Sequence, residues 1–477
     1  MQQVDDLGAM YLAAENERVR THTAILLTVD PATLPGGRLT LRQLRGLLAE
    51  RLPLVPAFRQ RLADVPFGLD RPYWIEAVAD LEYHVREVAL PAPGDDRQLR
   101  EQVARIFSRP LDRTRPLWEM YLIQGLSGGR AAVLTKVHHA IADGRTGLGI
   151  VAALTDASAH PRRGTVLPPA PGSAPPGTAT MLLRGLAGAA RQPLRAVAGL
   201  PAALSGADEL PIFGTLPGAR LIGATTALAR RVRRHRRVPR APRTSFNRQI
   251  SRHRRIGTAS VSLADVKQVK NHFAVSVNDV VMAISAGALR RWLLEHAELP
   301  EQPLTAVVPV ALRDCGADEP GNQLSAVVVG LPTDVDAPAA RLGVAHRAML
   351  TALHDLRSTA PDALTGTIRI VPPAFTVRTV QLLTRLNAWA PLSPAMNVNI
   401  SNLRGSHEPR YLAGAKIESM VPLAGITDGL GLNITVLSYD GQLAIGVVAD
   451  RDQVPDVQRI ADWMGDELTL LLRFAAH

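Results

Sequence analysis

The chain has 477 residues, a hydrophobic content of 46% and a formal net charge of +11. This length exceeds one ordinary hydrophobic core, so we expect a globular protein with two domains. The single cysteine, Cys315, excludes a disulfide within the chain and a structural zinc site built from cysteines. Residues 1–10 lack a signal-peptide pattern and no apolar run is long enough to span a bilayer, so we expect a cytoplasmic protein or one on a membrane surface.

The N-terminal part alternates between strand-like and helix-like segments. Period-two and helical spacing of the apolar residues predict strands over 22–29 and 72–83 and helices over 39–51 and 96–107. Residues 117–126 and 130–137 then read as a hairpin joined by Ser127-Gly128-Gly129. The run Gly125 to Gly129 matches the G-x-S-x-G elbow of serine hydrolases, but that elbow requires a helix after the serine. A strand is predicted there instead, so Ser127 is interpreted as a turn residue.

The most distinctive motif follows the hairpin. His138, His139, Asp143 and Gly144 have the spacing H-H-x-x-x-D-G, and a helical pattern begins after Gly147. The motif therefore lies where a strand ends and a helix begins. Successive strand residues point to opposite faces, so only one histidine can face a given cleft.

This motif suits proton abstraction, because a neutral imidazole accepts a proton from an alcohol near neutral pH. We assign that role to His139, the histidine further into the loop, and expect His138 to support the turn. Asp143 is expected to hold the loop, with Arg313 as a candidate ion-pair partner, and Gly144 is expected to permit the turn. For two histidines alone, a purely structural role would be the better interpretation. The full spacing is far more specific.

A composition rich in Pro, Ala, Gly and Ser marks residues 161–243 as a linker between domains at 1–160 and 244–477. Arg230 to Arg255 contains twelve arginines and no acidic residue. Such a run could bind an anionic membrane surface, form a solvated linker, or bind nucleic acid. We favour the membrane surface, because the run has a single aromatic residue to stack on bases.

The C-terminal part also mixes strands and helices. Strands are predicted over 256–263, 305–313, 323–332, 397–405, 416–421, 432–438 and 442–448, and helices over 263–271, 276–294, 338–356 and 457–474. Ser276 is a predicted cap of the second of these helices, with Asn278 and Asp279 in its first turn. Asp279 there suits the helix dipole. Asn278 could instead donate a hydrogen bond to reacting groups.

The H-H-x-x-x-D-G motif resembles the signature of a superfamily of CoA- and carrier-dependent acyltransferases that includes chloramphenicol acetyltransferase and condensation domains. Pro116-Leu117-Trp118 and Asn278-Asp279 resemble further motifs of the bacterial wax ester synthase/diacylglycerol acyltransferase family. The resemblance runs from about Leu7 to the C-terminus. The chain departs from it at Gly8, where the family usually has aspartate, and near residues 403–405, where the family tends to have Pro-Gly.

This resemblance implies an α/β fold of two chloramphenicol-acetyltransferase-like mixed sheets with the active site in the channel between them. It implies direct transfer of a long-chain acyl group from acyl-CoA, the co-substrate, to diacylglycerol or a fatty alcohol, without metal or other cofactor. His139 would be the general base and Asn278 a candidate for the oxyanion donor. Pro116, Leu117, Trp118 and Asp279 would contribute to substrate binding. For the first three, simple packing in the core is an equally good interpretation.

Three other functions remain open from the sequence. A condensation-type or polyketide-associated acyltransferase would share the histidine motif but use a carrier-bound donor. A non-catalytic lipid-binding relative would share the fold, and a nucleic-acid binder would use the arginine run. Since the resemblance favours the acyl-CoA-dependent reaction, the expected partners are acyl-CoA, a lipid acceptor and a peripheral membrane or lipid-droplet surface that contacts Arg230 to Arg255, not nucleic acid.

Overall fold

The computed structural model describes residues 2–66, 70–142, 144–160, 177, 181, 241–311, 324–358 and 396–475. Its helices are α1 (Asp6–Ala14), α2 (Leu41–Arg51), α3 (Leu81–His84), α4 (Asp96–Ser108), α5 (Gly144–Leu154), α6 (Leu263–His272), α7 (Val277–Glu295), α8 (Pro338–Ser358) and α9 (Val457–Ala475). Its strands are β1 (Gln2–Gln3), β2 (His22–Asp30), β3 (Gln60–Ala63), β4 (Tyr73–Glu76), β5 (Val85–Ala89), β6 (Trp118–Gln124), β7 (Ala131–His138), β8 (Arg254–Ser262), β9 (Leu304–Ala311), β10 (Leu324–Leu331), β11 (Val398–Arg404), β12 (Tyr411–Leu412), β13 (Ala415–Ala424), β14 (Leu432–Tyr439) and β15 (Gln442–Asp450).

Two six-stranded mixed sheets form the framework, which confirms the predicted α/β class. The first sheet has the order β12-β13-β2-β7-β6-β5, and the second has the order β10-β9-β11-β14-β15-β8. Only the β5–β6 pair of the first sheet is parallel, while β11 runs parallel to both β9 and β14 in the second. A small third sheet joins β1, β4 and β3 at the N-terminus.

The first sheet includes a strand from the far end of the chain. The strand β13 lies antiparallel to β2, with Leu423 opposite Ala24. The predicted strand at 416–421 is thus present, but it completes the N-terminal sheet. The division at 1–160, 161–243 and 244–477 stays a prediction, with the addition that β12 and β13 cross from the third segment to the first.

The two halves also share a hydrophobic core. One cluster of buried side chains combines Phe107 of α4 and Leu26 of β2 with Ile256 and Val448 from the second sheet. Where β15 passes β13, a Cβ on Gly446 would lie 1.9 Å from the carbonyl oxygen of Pro422. Only glycine therefore permits this close approach of the two sheets.

Most predicted elements around the motif are confirmed. The hairpin of β6 and β7 turns through Ser127–Gly129, where Gly128 has a φ of 74° that favours glycine. Because Ser127 leads into a strand and not a helix, the hydrolase elbow is excluded. The helix α7 begins at the predicted place, since the Ser276 hydroxyl and the Asp279 carboxylate accept each other's backbone N–H in a capping box.

The predicted strand at 72–83 was too long. Only Tyr73–Glu76 is extended, and Asp80 then caps the short helix α3 by accepting the N–H groups of Glu82 and Tyr83. The sequence reading also missed β5, which pairs with β6 on the edge of the first sheet.

Candidate active site

The histidine motif lies at the end of the central hairpin of the first sheet. His138 is the last residue of β7, and its N–H donates to the carbonyl oxygen of Leu117 at 3.0 Å. His139 follows in the turn, where its N–H donates to the carbonyl oxygen of Thr21 at 2.8 Å. Backbone bonds to two neighbouring segments therefore fix both histidines before any side chain is considered.

The His138 side chain is wholly buried, and both of its ring nitrogens are engaged. Its Nδ1 accepts the backbone N–H of Ala140 at 3.0 Å, so the ring proton must lie on Nε2. That nitrogen lies 2.9 Å from the Thr21 hydroxyl, which in turn donates to the carbonyl oxygen of Tyr11. This neutral imidazole holds the turn, as expected from the sequence.

His139 has a different environment. Its ring is partly exposed and stacks on Tyr11 of α1, with ring centroids 4.4 Å apart and planes inclined by 13°. Close to this contact, a Cβ on Gly8 would lie 2.7 Å from the Asp5 carboxylate and 3.4 Å from the carbonyl oxygen of Ala140. The departure from the family pattern at Gly8 therefore coincides with a close approach of α1 to the motif, and the N-terminal helix does contact the site.

Behind His138 lies a buried acidic group that sequence reasoning missed. The Glu15 carboxylate lies 3.1 Å from His22 Nε2 and accepts from the Arg113 guanidinium at 2.8 Å, and its Oε2 lies 3.8 Å from His138 Nε2. Burial alone would raise the pKa of Glu15, but the adjacent imidazoles of His138 and His22 lower it well below its usual range. Glu15 is thus a permanent anion beneath the motif.

His22 lies directly opposite His138 in the β2–β7 pairing and is fully buried. Burial lowers the pKa of His22 to about 4, since the bond to Glu15 only partly offsets the cost of burying a cation. The ring is therefore neutral at physiological pH. The nearby positive charge of Lys136 lowers the pKa of His22 further.

Lys136 itself is fully buried on the same face of β7. Its ammonium lies 3.0 Å from the Glu119 carboxylate and donates to the carbonyl oxygens of Ile106 and Arg109. Burial lowers the pKa of Lys136, and Glu119 opposes that shift. The polar face behind the motif therefore contains two charge-compensated groups, one around Glu15 and one around Glu119.

The predicted substrate-binding residues next to the motif have core contacts. Trp118 is fully buried between the rings of Phe58 and His84, and its Nε1–H donates to the carbonyl oxygen of Phe58. Leu117 is also fully buried, and Pro116 is buried as well. These contacts brace the hairpin that ends in the histidines. A direct contact of the three residues with an acyl chain stays a prediction.

The second predicted group lies on α7, in the other half. The half-buried Asn278 side chain points its Nδ2 at the Met349 sulfur of α8, 3.9 Å away. Asp279 is buried and lies 2.9 Å from His346 Nδ1, a contact that the sequence did not indicate. Among the described residues, no hydrogen bond or ion pair joins this group to the histidine motif. Roles in binding or catalysis for Asn278 and Asp279 stay predictions.

Some predicted residues lie outside the described ranges. Asp143 is one of them, together with Arg313 and Cys315. Gly144 is described as the first residue of α5, so the motif does end where that helix begins.

Four residues that contact the predicted site residues were not identified from the sequence: Thr21, Glu15, His22 and His346. Thr21 holds His138 across a separation of 117 residues, and no local spacing signals such a contact.

The end of the arginine run contacts the protein itself. Arg254 is buried and donates to the carbonyl oxygen of Arg18, and burial lowers its pKa to about 10. Arg252 pairs with Glu17. These two arginines therefore join the halves, and attachment of the run Arg230 to Arg255 to a membrane surface stays a prediction. Residues 230–240 of the run lie outside the described ranges.

Two further findings concern the described ranges only. Within them, no three His, Cys, Asp or Glu side chains are arranged so that they could hold a metal ion. No single described helix is long and apolar enough to cross a membrane, and α6 with α7, bent by 101°, reaches the required length and composition only as a pair.

Comparison with known proteins assigns the chain consistently. Residues 4–281 match the family model for the wax ester synthase/diacylglycerol acyltransferase catalytic domain, and residues 320–472 match the C-terminal domain model of that family. A Mycobacterium tuberculosis protein named as a diacylglycerol O-acyltransferase is 35% identical over 99% of this chain and 90% of its own length. A second protein of that organism, named likewise, is 33% identical over 95% of this chain and 94% of its own length.

Solved structures agree with the sequence comparison. A wax ester synthase/diacylglycerol acyltransferase from Marinobacter aquaeolei VT8 matches with a TM-score of 0.71 and 27% identity, covering 100% of both chains. The first condensation domain of the calcium-dependent antibiotic synthetase matches with a TM-score of 0.56 and 15% identity, covering 100% of this chain and 97% of its own. The second likeness shows a shared fold alone.

Proposed function

Because the chain belongs to the wax ester synthase/diacylglycerol acyltransferase family and is an acyltransferase, we propose that it transfers a long-chain acyl group from acyl-CoA to a lipid alcohol. The acceptors that the names of its relatives point to are diacylglycerol, which gives triacylglycerol, and a fatty alcohol, which gives a wax ester. Both acceptors present a hydroxyl group as the nucleophile.

His139 acts as the general base in this reaction. It removes the hydroxyl proton as the alcohol oxygen attacks the thioester carbonyl carbon. The tetrahedral intermediate then expels the CoA thiolate, which receives the proton from the His139 imidazolium, so that the products are an ester and free CoA. Transfer is direct, since the alcohol itself is the nucleophile and no acylated residue is required.

The contacts of the neighbouring histidine are the observation that carries this assignment. Both ring nitrogens of His138 face protein groups, Thr21 and Ala140, so that ring supports the turn. The His139 ring instead lies at the partly exposed side of the turn, held flat against Tyr11. An imidazole that is fixed in orientation and reachable from outside suits proton transfer.

Asn278 supports the reaction as a donor to the developing oxyanion. Its side chain is half-buried at the first turn of α7, where the positive end of the helix dipole also favours negative charge. Its one described side-chain contact is the weak one to the Met349 sulfur, so an oxyanion would be a far better acceptor.

The protein acts at a lipid surface, because both acceptors are insoluble in water. Attachment of a peripheral membrane or lipid-droplet surface to the run Arg230 to Arg255 remains part of this proposal. The last part of the run contacts the N-terminal half.

The test measures thiol release from palmitoyl-CoA by the purified full chain with diacylglycerol, with hexadecanol, and without acceptor. Wild type is compared with His139→Ala, and His407→Ala on the exposed loop after β11 serves as the matched control. We expect acceptor-dependent release that is lost in His139→Ala and kept in His407→Ala.

Other results would refute the proposal in different ways. Equal release without acceptor would indicate a thioesterase. Activity only with a carrier-bound acyl group would indicate condensation-type chemistry. Wild-type activity no higher than that of His139→Ala in every arm would leave a non-catalytic lipid-binding protein.

A further inference from the structure

A cavity of about 390 Å³ opens on the outer helical layer of the C-terminal half, between α7, the start of α8 and the end of α9. It is distinct from the histidine motif, which lies at the end of β7 in the first sheet. Its lining contains four arginines and two carboxylates, which leaves a formal net charge of +2: Arg290, Arg291, Arg341, Arg473, Asp336 and Glu467.

The floor of the cavity is a buried ion pair. Arg341 and Glu467 are both almost fully buried and pair with each other, and the Arg341 guanidinium also donates to the carbonyl oxygens of Val335 and Asp336. A Cβ on Gly287 would lie 2.2 Å from the Glu467 carboxylate, so only glycine lets this pair lie against α7. The floor is therefore rigid and locally neutral.

The walls carry two arginines that pair with carboxylates, with the Arg290 side chain 16% exposed and the Arg291 side chain 39% exposed. Arg290 donates to the Asp336 carboxylate and to the carbonyl oxygen of Thr333, and Asp336 is itself 89% exposed. Arg291 pairs with Asp466 at 2.9 Å and lies over the Trp463 ring. Since the partners of both arginines are exposed, their guanidinium groups retain capacity for an anion.

Arg473 and the apolar rim complete the surface. Arg473 is exposed in the last turn of α9, and no ion-pair partner for it occurs among the described residues. Beside it, Phe474 is 49% exposed and Leu294 is 52% exposed. Large exposed apolar side chains next to arginines are typical of surfaces that insert into the headgroup region of a bilayer.

We propose that this cavity binds the phosphate headgroup of an anionic phospholipid while Leu294 and Phe474 enter the surrounding lipid. The N-terminus of α8 at Pro338 adds the positive end of a helix dipole to the same space. A soluble phosphate compound would use the arginines but leave the apolar rim in water, so the rim favours a lipid surface. This inference rests on the proposed action on lipid substrates and adds a second attachment surface, separate from the arginine run.

The test is sedimentation of the full chain with vesicles of phosphatidylcholine and with vesicles of an equal mixture of phosphatidylcholine and phosphatidylglycerol. Arg473→Glu should weaken binding to the mixed vesicles about tenfold, since each arginine near an anionic surface contributes substantially. Arg473→Lys should keep most of the binding, and Phe474→Ser should weaken binding to both vesicle types. Arg42→Glu, a charge reversal at an exposed site of α2, is the matched control and should bind as wild type.

The arginine run could hide the effect, so each comparison is repeated with the seven arginines of residues 230–240 replaced by glutamine. Transfer between a short-chain acyl-CoA and a water-soluble alcohol is measured in parallel and should be unchanged in Arg473→Glu. Absence of acceptor-dependent release from palmitoyl-CoA in wild type would refute the proposed function and leave vesicle binding to be judged by itself.

Three outcomes would overturn the proposal that the cavity binds an anionic phospholipid. One is equal binding of Arg473→Glu and Arg42→Glu in the background without the arginine run. A second is wild-type binding that does not depend on phosphatidylglycerol. The third is a raised KM for acyl-CoA in Arg473→Glu with vesicle binding intact, which would identify the cavity as a site for a soluble phosphate compound.

Discussion

The two halves of the molecule hold their candidate site residues in different ways. In the N-terminal half, His138 lies on a buried polar layer in which Glu15 and His22 are almost fully enclosed. In the C-terminal half, Asn278 lies half-buried in the first turn of α7, and the buried Asp279 beside it contacts the half-buried His346 within α8. The first arrangement depends on ionisable groups that must stay compensated, whereas the second depends on a helix cap.

This difference determines how substitutions should behave. A change in the buried layer removes a partner from a group that cannot reach water, so folding and activity should fall together. A change at Asn278 removes a side chain whose described contact is weak, so activity should fall without loss of stability. His139 belongs with Asn278 in this respect, because its ring is partly exposed.

The largest effect is expected for His139→Ala, which should lower kcat by about 10²- to 10⁴-fold because a general base is lost. The melting temperature should stay near that of wild type, since the truncated ring is partly exposed and the backbone bond to Thr21 is kept. Steady-state kinetics and thermal unfolding of the same preparation check both statements. A loss of activity that tracks a loss of folded protein would contradict the assigned role.

Asn278→Ala should lower kcat by about 10²-fold, the effect of removing one oxyanion donor. KM for both substrates should change little, because the donor acts on charge that develops in the transition state. Asn278→Asp is the sharper companion, since it keeps the size and replaces the donor by an anion. If Asn278→Asp retained activity, hydrogen-bond donation from this residue would be excluded.

The third prediction concerns pH and the buried layer. In the folded protein the pKa of His22 is about 4, against an ordinary value of 6.5. Below pH 6.5, His22 therefore binds a proton in the unfolded chain but not in the native state, so the free energy of unfolding falls as the pH falls. Between pH 7 and pH 5 this should remove about 2 kcal/mol from the free energy of unfolding.

Urea unfolding at a series of pH values tests this prediction. His22→Asn lacks the titrating group and should lose most of the slope between pH 7 and pH 5, even though it is less stable throughout. His407→Asn, at an exposed histidine, should keep the wild-type slope. An identical slope in His22→Asn would show that another group is responsible.

The sequence could predict what depends on local pattern. The strand-to-helix position of His138 and His139 follows from apolar spacing before and after them, and the start of α7 follows from Ser276 as a cap. The fold of two mixed sheets followed from the family resemblance, not from spacing.

The remaining features depend on contacts between distant residues. The pairing of β13 with β2 in the first sheet joins residues about 400 positions apart, as the hydrogen bond from the Thr23 hydroxyl to the carbonyl oxygen of Leu423 shows. Period-two alternation marks a strand but not its partner, so this pairing was invisible. No sequence pattern marks Glu15 and His22, because their shifted pKa values arise only when folding buries both side chains.

The smallest expected effect is that of Thr21→Val, which preserves shape and removes one hydroxyl from the layer behind the motif. His138 then loses the acceptor of its Nε2–H, but the Glu15 carboxylate lies 3.8 Å away and can take over after a small rotation. We therefore expect a loss of only about 1 kcal/mol in the free energy of unfolding, near the value of one net hydrogen bond. The fall in kcat should stay below about tenfold, since His139 keeps its backbone bond to Thr21. Thr21→Ser retains the hydroxyl, so its free energy of unfolding and its kcat should stay near those of wild type. If Thr21→Val lost several kcal/mol while Glu15→Gln lost little, the support of His138 would come from Thr21 alone, and the layer would not act as one compensated unit.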